Sequence, residues 1–389
     1  MSRRFSRTTQ INRLALIVIA LSTVALGQEK SFVPVEGATL KAKIDAAIVA
    51  GKANSVNGRF WVAYQFEVRP GVAVDFEIVD SSSGDVYITT EGTSMMFDPR
   101  HETRELGLFL LYDAQRESFI RAEIYNLRRK HEYSNYPVYW AGRISNEESL
   151  NYLKSIIDSP APEMNRLDER AVFALALHDD ARVDALLTEL IRRPVTEPTR
   201  SRAIHWLGYT PETTAKNTLF TEIVRNTQES TDARHAAMSA LAMSRSAAAL
   251  PLLQNLFETM PTRELKRRAL QGIARNDNND AAATYLIRVA ENEKDMELRK
   301  SAVANLGRIA GQKSLGALTG TVDGDADIEL QKQAVVAIAR RPKDESIPIL
   351  IRTARNHPRM PVRKVAIQML GQTGDERAVA FFRELLSKD

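Results

Sequence analysis

A repeat with a period of 32–34 residues constrains the fold of this chain more than any other feature. In each of seven copies an alanine is followed four residues later by Leu or Ile, and then at once by Ala or Gly. Alanine lets neighbouring helices approach closely, and the large residue one turn later fills the space between layers. The repeat therefore predicts a stack of helices. The alanines are Ala171, Ala203, Ala237, Ala269, Ala302, Ala334 and Ala366.

Another amphipathic segment lies between each two of these helices, so each period predicts a helix pair in which the helix with the repeat alanine comes second. The pairs begin near Glu147, and a lone helix at Asp375–Leu386 is expected to cover the last one. This gives about seven helix pairs and a capping helix. The clearest of these intervening segments are residues 181–192, 247–257, 280–290, 347–355 and 377–386.

Two segments, Leu298–Gly307 and Val362–Gly371, share Arg-Lys before the alanine and Leu-Gly at the end. They resemble the HEAT family, and especially its short bacterial form of about 30 residues that also occurs in phycobilin lyases. The resemblance covers roughly residues 147–389 and implies an all-α HEAT-like α-solenoid. It names no activity, because solenoids serve many functions.

In HEAT proteins, acid and base pairs link adjacent repeats, and the resemblance implies a similar ladder here. We interpret its members as structural, since carboxylates also suit helix N-termini. They are Asp232, Glu264, Glu297 and Glu329 on the acidic side, and Arg234, Lys266, Arg299 and Arg363 on the basic side.

Residues 28–146 change to an alternating pattern. Apolar residues recur at every second position from Phe60 to Val68, and again at Val74, Phe76 and Ile78 after Pro70-Gly71, which predicts a hairpin. About six strands and one helix near residues 41–50 predict a small antiparallel β-rich α+β domain. The short gap before Glu147 implies that this domain packs on the first repeats.

The first 27 residues have the layout of a secretory signal peptide. Four arginines precede an apolar run from Leu14 to Leu26, and Ala25-Leu26-Gly27 offers a cleavage site with small residues. The run is shorter than the roughly 20 residues that a membrane-spanning helix needs. We therefore expect a periplasmic or secreted protein that loses residues 1–27 and keeps no transmembrane segment.

Composition narrows the possible partners and sites. No cysteine occurs among 389 residues, so disulfides and thiolate metal sites are excluded. Residues 1–27 carry four arginines and no acidic residue, so the chain without them has equal numbers of basic and acidic side chains. A neutral mature chain gives no basis for nucleic-acid binding.

Sequence patterns typical of catalysis and metal binding are missing. The six histidines form no i, i+4 pair, and no nucleophile elbow, phosphate loop or dinucleotide fingerprint occurs. Asp323, Asp325 and Asp327 look like the start of a calcium loop, but Ile328 and Ala334 replace its required glycine and bidentate acid. We therefore predict no catalytic residue, no metal and no cofactor.

The candidate binding surface lies on the second helix of each pair, because in HEAT arrays these helices line the inner curve. Arginine and aromatic side chains are enriched at binding hot spots. Two readings stay open: these residues contact a partner, or they are solvated helix ends with paired arginines and a buried tryptophan. The candidates are an aromatic group, His205, Trp206 and Tyr209, and a basic row, Arg268, Arg275, Arg308 and Arg340.

The leading functional hypothesis is a non-catalytic envelope scaffold or adaptor that binds a protein or peptide through the concave face of the solenoid. The main alternative is carbohydrate or cell-wall binding through the β-rich domain. A third hypothesis is an accessory enzyme of lyase type, although no set of bilin-handling residues can be placed on this sequence.

Overall fold

The computed structural model describes residues 32–74, 88–90, 93–97, 102–159, 166–193, 195–244, 246–325 and 327–387. The predicted signal peptide and the positions Phe76 and Ile78 of the predicted hairpin lie outside these ranges. Eight strands are described: β1 (Val33–Pro34), β2 (Arg59–Phe66), β3 (Val72–Val74), β4 (Ile88–Thr90), β5 (Thr93–Phe97), β6 (Leu106–Asp113), β7 (Ser118–Asn126) and β8 (Val138–Arg143).

One helix, α1 (Leu40–Asn54), precedes β2, and fifteen follow β8 in the described part of the chain. They form seven consecutive pairs, α2/α3 to α14/α15, and a last single helix, so the predicted solenoid with its capping helix is confirmed. The fifteen are α2 (Asn146–Asp158), α3 (Leu167–Ala176), α4 (Val183–Arg192), α5 (Glu197–Leu207), α6 (Thr214–Arg225), α7 (Thr231–Met243), α8 (Ala249–Thr259), α9 (Arg263–Ile273), α10 (Asn279–Asn292), α11 (Met296–Leu306), α12 (Gln312–Gly324), α13 (Ile328–Ala339), α14 (Lys343–Asn356), α15 (Met360–Gly371) and α16 (Glu376–Leu386).

Short polar residues mark where most of these helices begin. Their side chains accept hydrogen bonds from backbone N–H groups in the first turn, which would otherwise lack a partner. Asp295 and Asp327 each accept two such bonds, at the starts of α11 and α13. The aspartates that suggested a calcium loop are therefore used in helix structure: Asp327 caps α13, Asp325 pairs with Arg299 and Asp323 pairs with Arg352.

Small residues let the second helices pack closely. The seven repeat alanines are all buried. At the ends of these helices, glycine faces alanine: a Cβ atom on Gly208 would lie 2.6 Å from the Cβ atom of Ala240, and one on Gly307 would lie 2.6 Å from the carbonyl oxygen of Ala337. At Gly208 and Gly307, the small residue that closes the repeat is thus explained by the approach of the next second helix.

The main sheet has the strand order β1-β8-β2-β6-β7. It is mixed rather than wholly antiparallel, because β8 lies between β1 and β2 and runs parallel to both. The predicted hairpin between β2 and β3 is wrong: β2 pairs with β6 and β8, and β3 pairs with β5 in a separate three-stranded sheet. Both edges of β2 are occupied, so the chain leaves the sheet before β3 begins.

The sheet and the first repeats share one apolar core. After β2, Val68 forms an isolated bridge with His178 at the end of α3. On either side of it, the Arg69 N–H donates to the Leu177 carbonyl and the Asp179 N–H donates to the Glu67 carbonyl, each at 2.9 Å. The predicted packing of the β-rich part on the solenoid is therefore seen. The domain boundary near residue 146 stays a prediction.

Candidate binding surface

Three of the predicted arginines occupy one repeat position just after consecutive second helices. Arg275, Arg308 and Arg340 follow α9, α11 and α13, and each lies two residues after the large apolar residue of its repeat. Their side chains are exposed, while the apolar residues before them are buried. The fold therefore places three guanidinium groups side by side along the stack.

The three charges are close enough to affect one another. The pKa of Arg308 is lowered by partial burial, then by the charge of Arg340 and that of Arg275. Arg308 donates a hydrogen bond to the side-chain oxygen of Asn305 at 3.3 Å. Over the described ranges, no carboxylate lies within ion-pair distance of any of the three arginines. We refer to these three residues as the arginine row.

Arg268 is different, although it lies on α9, the helix that Arg275 follows. It is half-buried, pairs with Glu264 at 3.1 Å, and donates to the Ser239 hydroxyl at 2.8 Å. Its charge is therefore compensated within α9, and its hydrogen bond links α9 to α7. The structure does not bring Arg268 into the arginine row.

The aromatic group adjoins the arginine row through Tyr209. The Tyr209 ring packs against His205 with centroids 5.1 Å apart and against Trp206 at 5.4 Å. Burial raises the pKa of Tyr209 to about 12, and the nearby charge of Arg275 acts in the opposite direction. The Tyr209 carbonyl also accepts a hydrogen bond from Arg69, which follows β2. Tyr209 thus joins the sheet, the aromatic group and the arginine row.

Trp206 does not fit the role predicted for it. Its side chain is 1% exposed and stacks on Phe173 of the preceding second helix, with centroids 4.7 Å apart. A side chain this buried cannot contact a partner. His205 is half-buried, and burial together with the charge of Arg202 lowers its pKa to about 4, so it is neutral at pH 7.

The predicted acid–base ladder exists with different partners. The acids Glu264, Glu297 and Glu329 pair locally, within one turn of their own helix. Two of the basic residues instead donate to carbonyls at the end of the preceding first helix: Arg234 to Val224 and Arg299 to Ala290. Arg363 donates to the His357 carbonyl just after α14, and Lys266 lies over the Phe257 ring. Arg299 also reaches Asp325 at 3.2 Å in the next repeat. Arg234 and Arg299 thus connect helices, as a structural role for the ladder requires.

Arg200, which the sequence analysis did not single out, is the best-formed member of this ladder. It donates to the Ile191 carbonyl at 2.8 Å, and its two terminal nitrogens bind the carboxylate of Glu229. Both side chains line an open pocket of about 610 Å³ at the ends of α4 and α6. Because Arg200 and Glu229 compensate each other, this pocket offers less free charge than the arginine row.

A buried serine–histidine pair also escaped the sequence analysis. His178 Nε2 lies 2.7 Å from the Ser149 hydroxyl, which lies 3.0 Å from the Tyr64 hydroxyl, and His178 Nδ1 lies 2.8 Å from the Ala174 carbonyl. All three side chains are at most 2% exposed. No short motif could reveal this group, because its members are 85 and 29 residues apart in sequence. It joins β2, α2 and the end of α3.

The aromatic residues of the sheet form a core. Trp61, Phe109 and Tyr133 are buried together, and the Trp61 indole donates to the Tyr133 carbonyl at 2.8 Å. Rings that pack on one another in this way present no open face to a sugar. Carbohydrate binding by this part of the chain stays a prediction without a specific site.

Within the described ranges, no group of three or more His, Asp or Glu side chains is placed to hold a metal ion. None of the described helices combines the length and the apolar character needed to cross a membrane.

Family models match two parts of the solenoid. A model described as HEAT repeats matches residues 321–389, and one described as PBS lyase HEAT-like repeat matches residues 233–259. These two parts of the chain are HEAT-like repeats. No curated protein sequence matches it. The N-terminal part has no family match.

Three solved structures are similar to this chain at low identity. Human deoxyhypusine hydroxylase in complex with glycerol is 14% identical, with 61% of this chain and 90% of that chain covered and a TM-score of 0.30. The complex of CpcE and CpcF of phycocyanin lyase from Nostoc sp. is 14% identical, with 63% and 94% covered and a TM-score of 0.33. A computationally designed cyclic homo-oligomer is 19% identical, with 63% and 83% covered and a TM-score of 0.13. With TM-scores below 0.5, these likenesses carry no argument about function.

Proposed function

We propose that this HEAT-repeat protein is a non-catalytic envelope scaffold that binds a protein or peptide partner in a groove lined by its second helices. The observation that carries the proposal is the arginine row. Three exposed cations stand at one repeat position, and no carboxylate of the described chain compensates them. Uncompensated guanidinium groups are suited to bind a partner, since they supply several fixed donors each.

Packing of the two helix layers indicates which side is concave. Each second helix packs closely on the next from α3 to α15, whereas neighbouring first helices make far fewer contacts. A stack whose layers lie closer together on one side curves toward that side. This packing supports the proposal that the second helices line the inner curve, with the arginine row at their C-terminal ends.

Two further features support the proposal. The serine–histidine pair formed by Ser149 and His178 is fully buried and hydrogen-bonded to a backbone carbonyl, so it is not placed to attack a substrate. The order of basic, apolar and small residues in residues 1–27 supports export to the envelope. N-terminal sequencing of the mature protein from an envelope fraction should then begin near Gln28.

Binding in the groove can be tested by filling the groove with a large side chain. Ala304 is half-buried and lies one helical turn before Arg308 on α11, so a tryptophan there would fill the groove. Glu291 is exposed on the first helix α10 and gives a matched control. Affinity capture from an envelope extract should retain the partner with Glu291→Trp and lose it with Ala304→Trp, with thermal unfolding used to verify that both variants fold. Equal retention by both folded variants would contradict binding in the groove.

A further inference from the structure

The arginine row has a repeating geometry that limits what can bind to it. Its members occupy the same position in consecutive repeats, so the distance between neighbours is set by helix packing. The axes of packed helices lie roughly 8–10 Å apart. A ligand that engages all three arginines must therefore offer three acceptors at about this spacing.

An extended peptide with acidic residues at every third position meets this requirement. In the polyproline II conformation, a chain makes one turn every three residues and rises about 3.1 Å per residue, so each turn advances about 9 Å. Side chains three residues apart then point the same way at nearly the helix spacing. A β-strand, whose side chains repeat on one face about every 6.8 Å, fits less well.

Carboxylates are the acceptors that the row favours. Guanidinium groups bind carboxylates through two parallel hydrogen bonds, a geometry that also fixes orientation. Partial burial lowers the pKa of Arg308 most, and the charges of Arg340 and Arg275 lower it further; bound negative charge would offset this repulsion between the three guanidinium groups. Tyr209, just after α5, and Met243, at the end of α7, are half-buried at the same repeat position as the row and supply apolar surface for a peptide.

We propose that Arg275, Arg308 and Arg340 bind an acidic peptide segment of the partner, in an extended conformation with Asp or Glu at every third residue. This inference rests on the proposed function and specifies the chemistry of the partner. It favours a peptide over an anionic glycan because the Tyr209 ring already packs against His205 and Trp206, so it is not an open stacking platform for a sugar.

Synthetic peptides test the spacing directly. The probe is a fluorescent Pro/Ala peptide with three aspartates at every third position, and the controls carry three adjacent aspartates or three asparagines instead. In fluorescence anisotropy with residues 28–389 at low ionic strength, the spaced peptide should bind more tightly than either control. Arg308→Ala should weaken its binding about fivefold or more, whereas Arg268→Ala should change it by less than about twofold because Arg268 is already paired.

Three outcomes would overturn the proposal: unchanged binding to a variant with all three arginines replaced by alanine, equal binding of the spaced and adjacent peptides, or tighter binding of oligogalacturonate than of the spaced peptide. The same triple variant, used in the affinity capture described above, separates the two proposals. Capture lost with Ala304→Trp but kept with the triple variant would leave the groove in place and reject the arginine row as its contact.

Discussion

A Cβ atom on Gly307 would lie 2.6 Å from the Ala337 carbonyl oxygen and 3.0 Å from the Ala337 Cα atom. Since these are backbone atoms, α11 and α13 would have to move apart to accept a side chain. We expect Gly307→Ala to lower the free energy of unfolding by about 1–3 kcal/mol. Urea unfolding followed by circular dichroism measures this change.

Gly371 is the matched control for this substitution. It holds the same repeat position on α15, yet a Cβ atom there meets nothing within 4 Å. Gly371→Ala should be neutral or stabilise by up to about 1 kcal/mol, because alanine favours helix more than glycine does. If both substitutions had the same effect, close approach of second helices would not explain the small residues of the repeat.

Arg200 should contribute more to stability than an exposed arginine with a similar partner. Arg200→Ala leaves the Ile191 carbonyl and the largely buried Glu229 carboxylate without their shared donor. The expected cost is about 2–4 kcal/mol. Arg352→Ala removes an ion pair whose side chains are about half exposed, and should cost less than about 1 kcal/mol. Chemical denaturation of both variants measures the two losses in unfolding free energy. Equal losses would contradict a stabilising role for the contacts that Arg200 makes between helices.

The free energy of unfolding should decrease as the pH decreases, because His178 becomes protonated. Burial lowers its pKa from 6.5 to about 4, so between these values the unfolded chain binds more protons than the folded one. The stability that neutral His178 contributes is complete above about pH 6.5 and is lost as the pH falls toward 4. When His178 is fully protonated, the free energy of unfolding should be lower by on the order of 3 kcal/mol.

Unfolding free energies at several pH values, measured for the wild type and for His178→Gln, check this prediction. The variant should lose stability less steeply between pH 6.5 and 4. His205 acts in the same direction, because burial and Arg202 lower its pKa to about 4, so His205→Gln is measured alongside. A slope that is unchanged in His178→Gln would contradict the account.

Local patterns predicted the solenoid well because its interactions recur at one spacing. The seven alanines, the closing Ala or Gly, and the capping residues such as Asp295 and Asp327 each act within one repeat or between neighbours. The sheet was less predictable, because pairing of β2 with β6 and β8 joins residues far apart in sequence. The alternation of apolar and polar residues predicted a strand at Phe60–Phe66, but it did not predict which strands pair with it.

The candidate site shows the same limit. Repeat position alone placed Arg275, Arg308 and Arg340 together, because each position on one second helix recurs on the next. It did not distinguish Arg268, whose charge is compensated by Glu264 one turn away, or Trp206, whose ring is covered by Phe173. Exposure and pairing depend on side-chain partners from other helices, and repeat spacing does not specify these.

Photo-crosslinking from the groove tests the central claim most directly. A photoreactive phenylalanine analogue placed at Ala304 on α11, four residues before Arg308, would lie within the proposed groove, and one placed at Glu291 would lie on the layer of first helices. Irradiation of cells producing each variant should give a covalent adduct with a partner protein from position 304 and none from position 291. An adduct from position 291 alone, or adducts of equal yield from both positions, would contradict binding along the second helices.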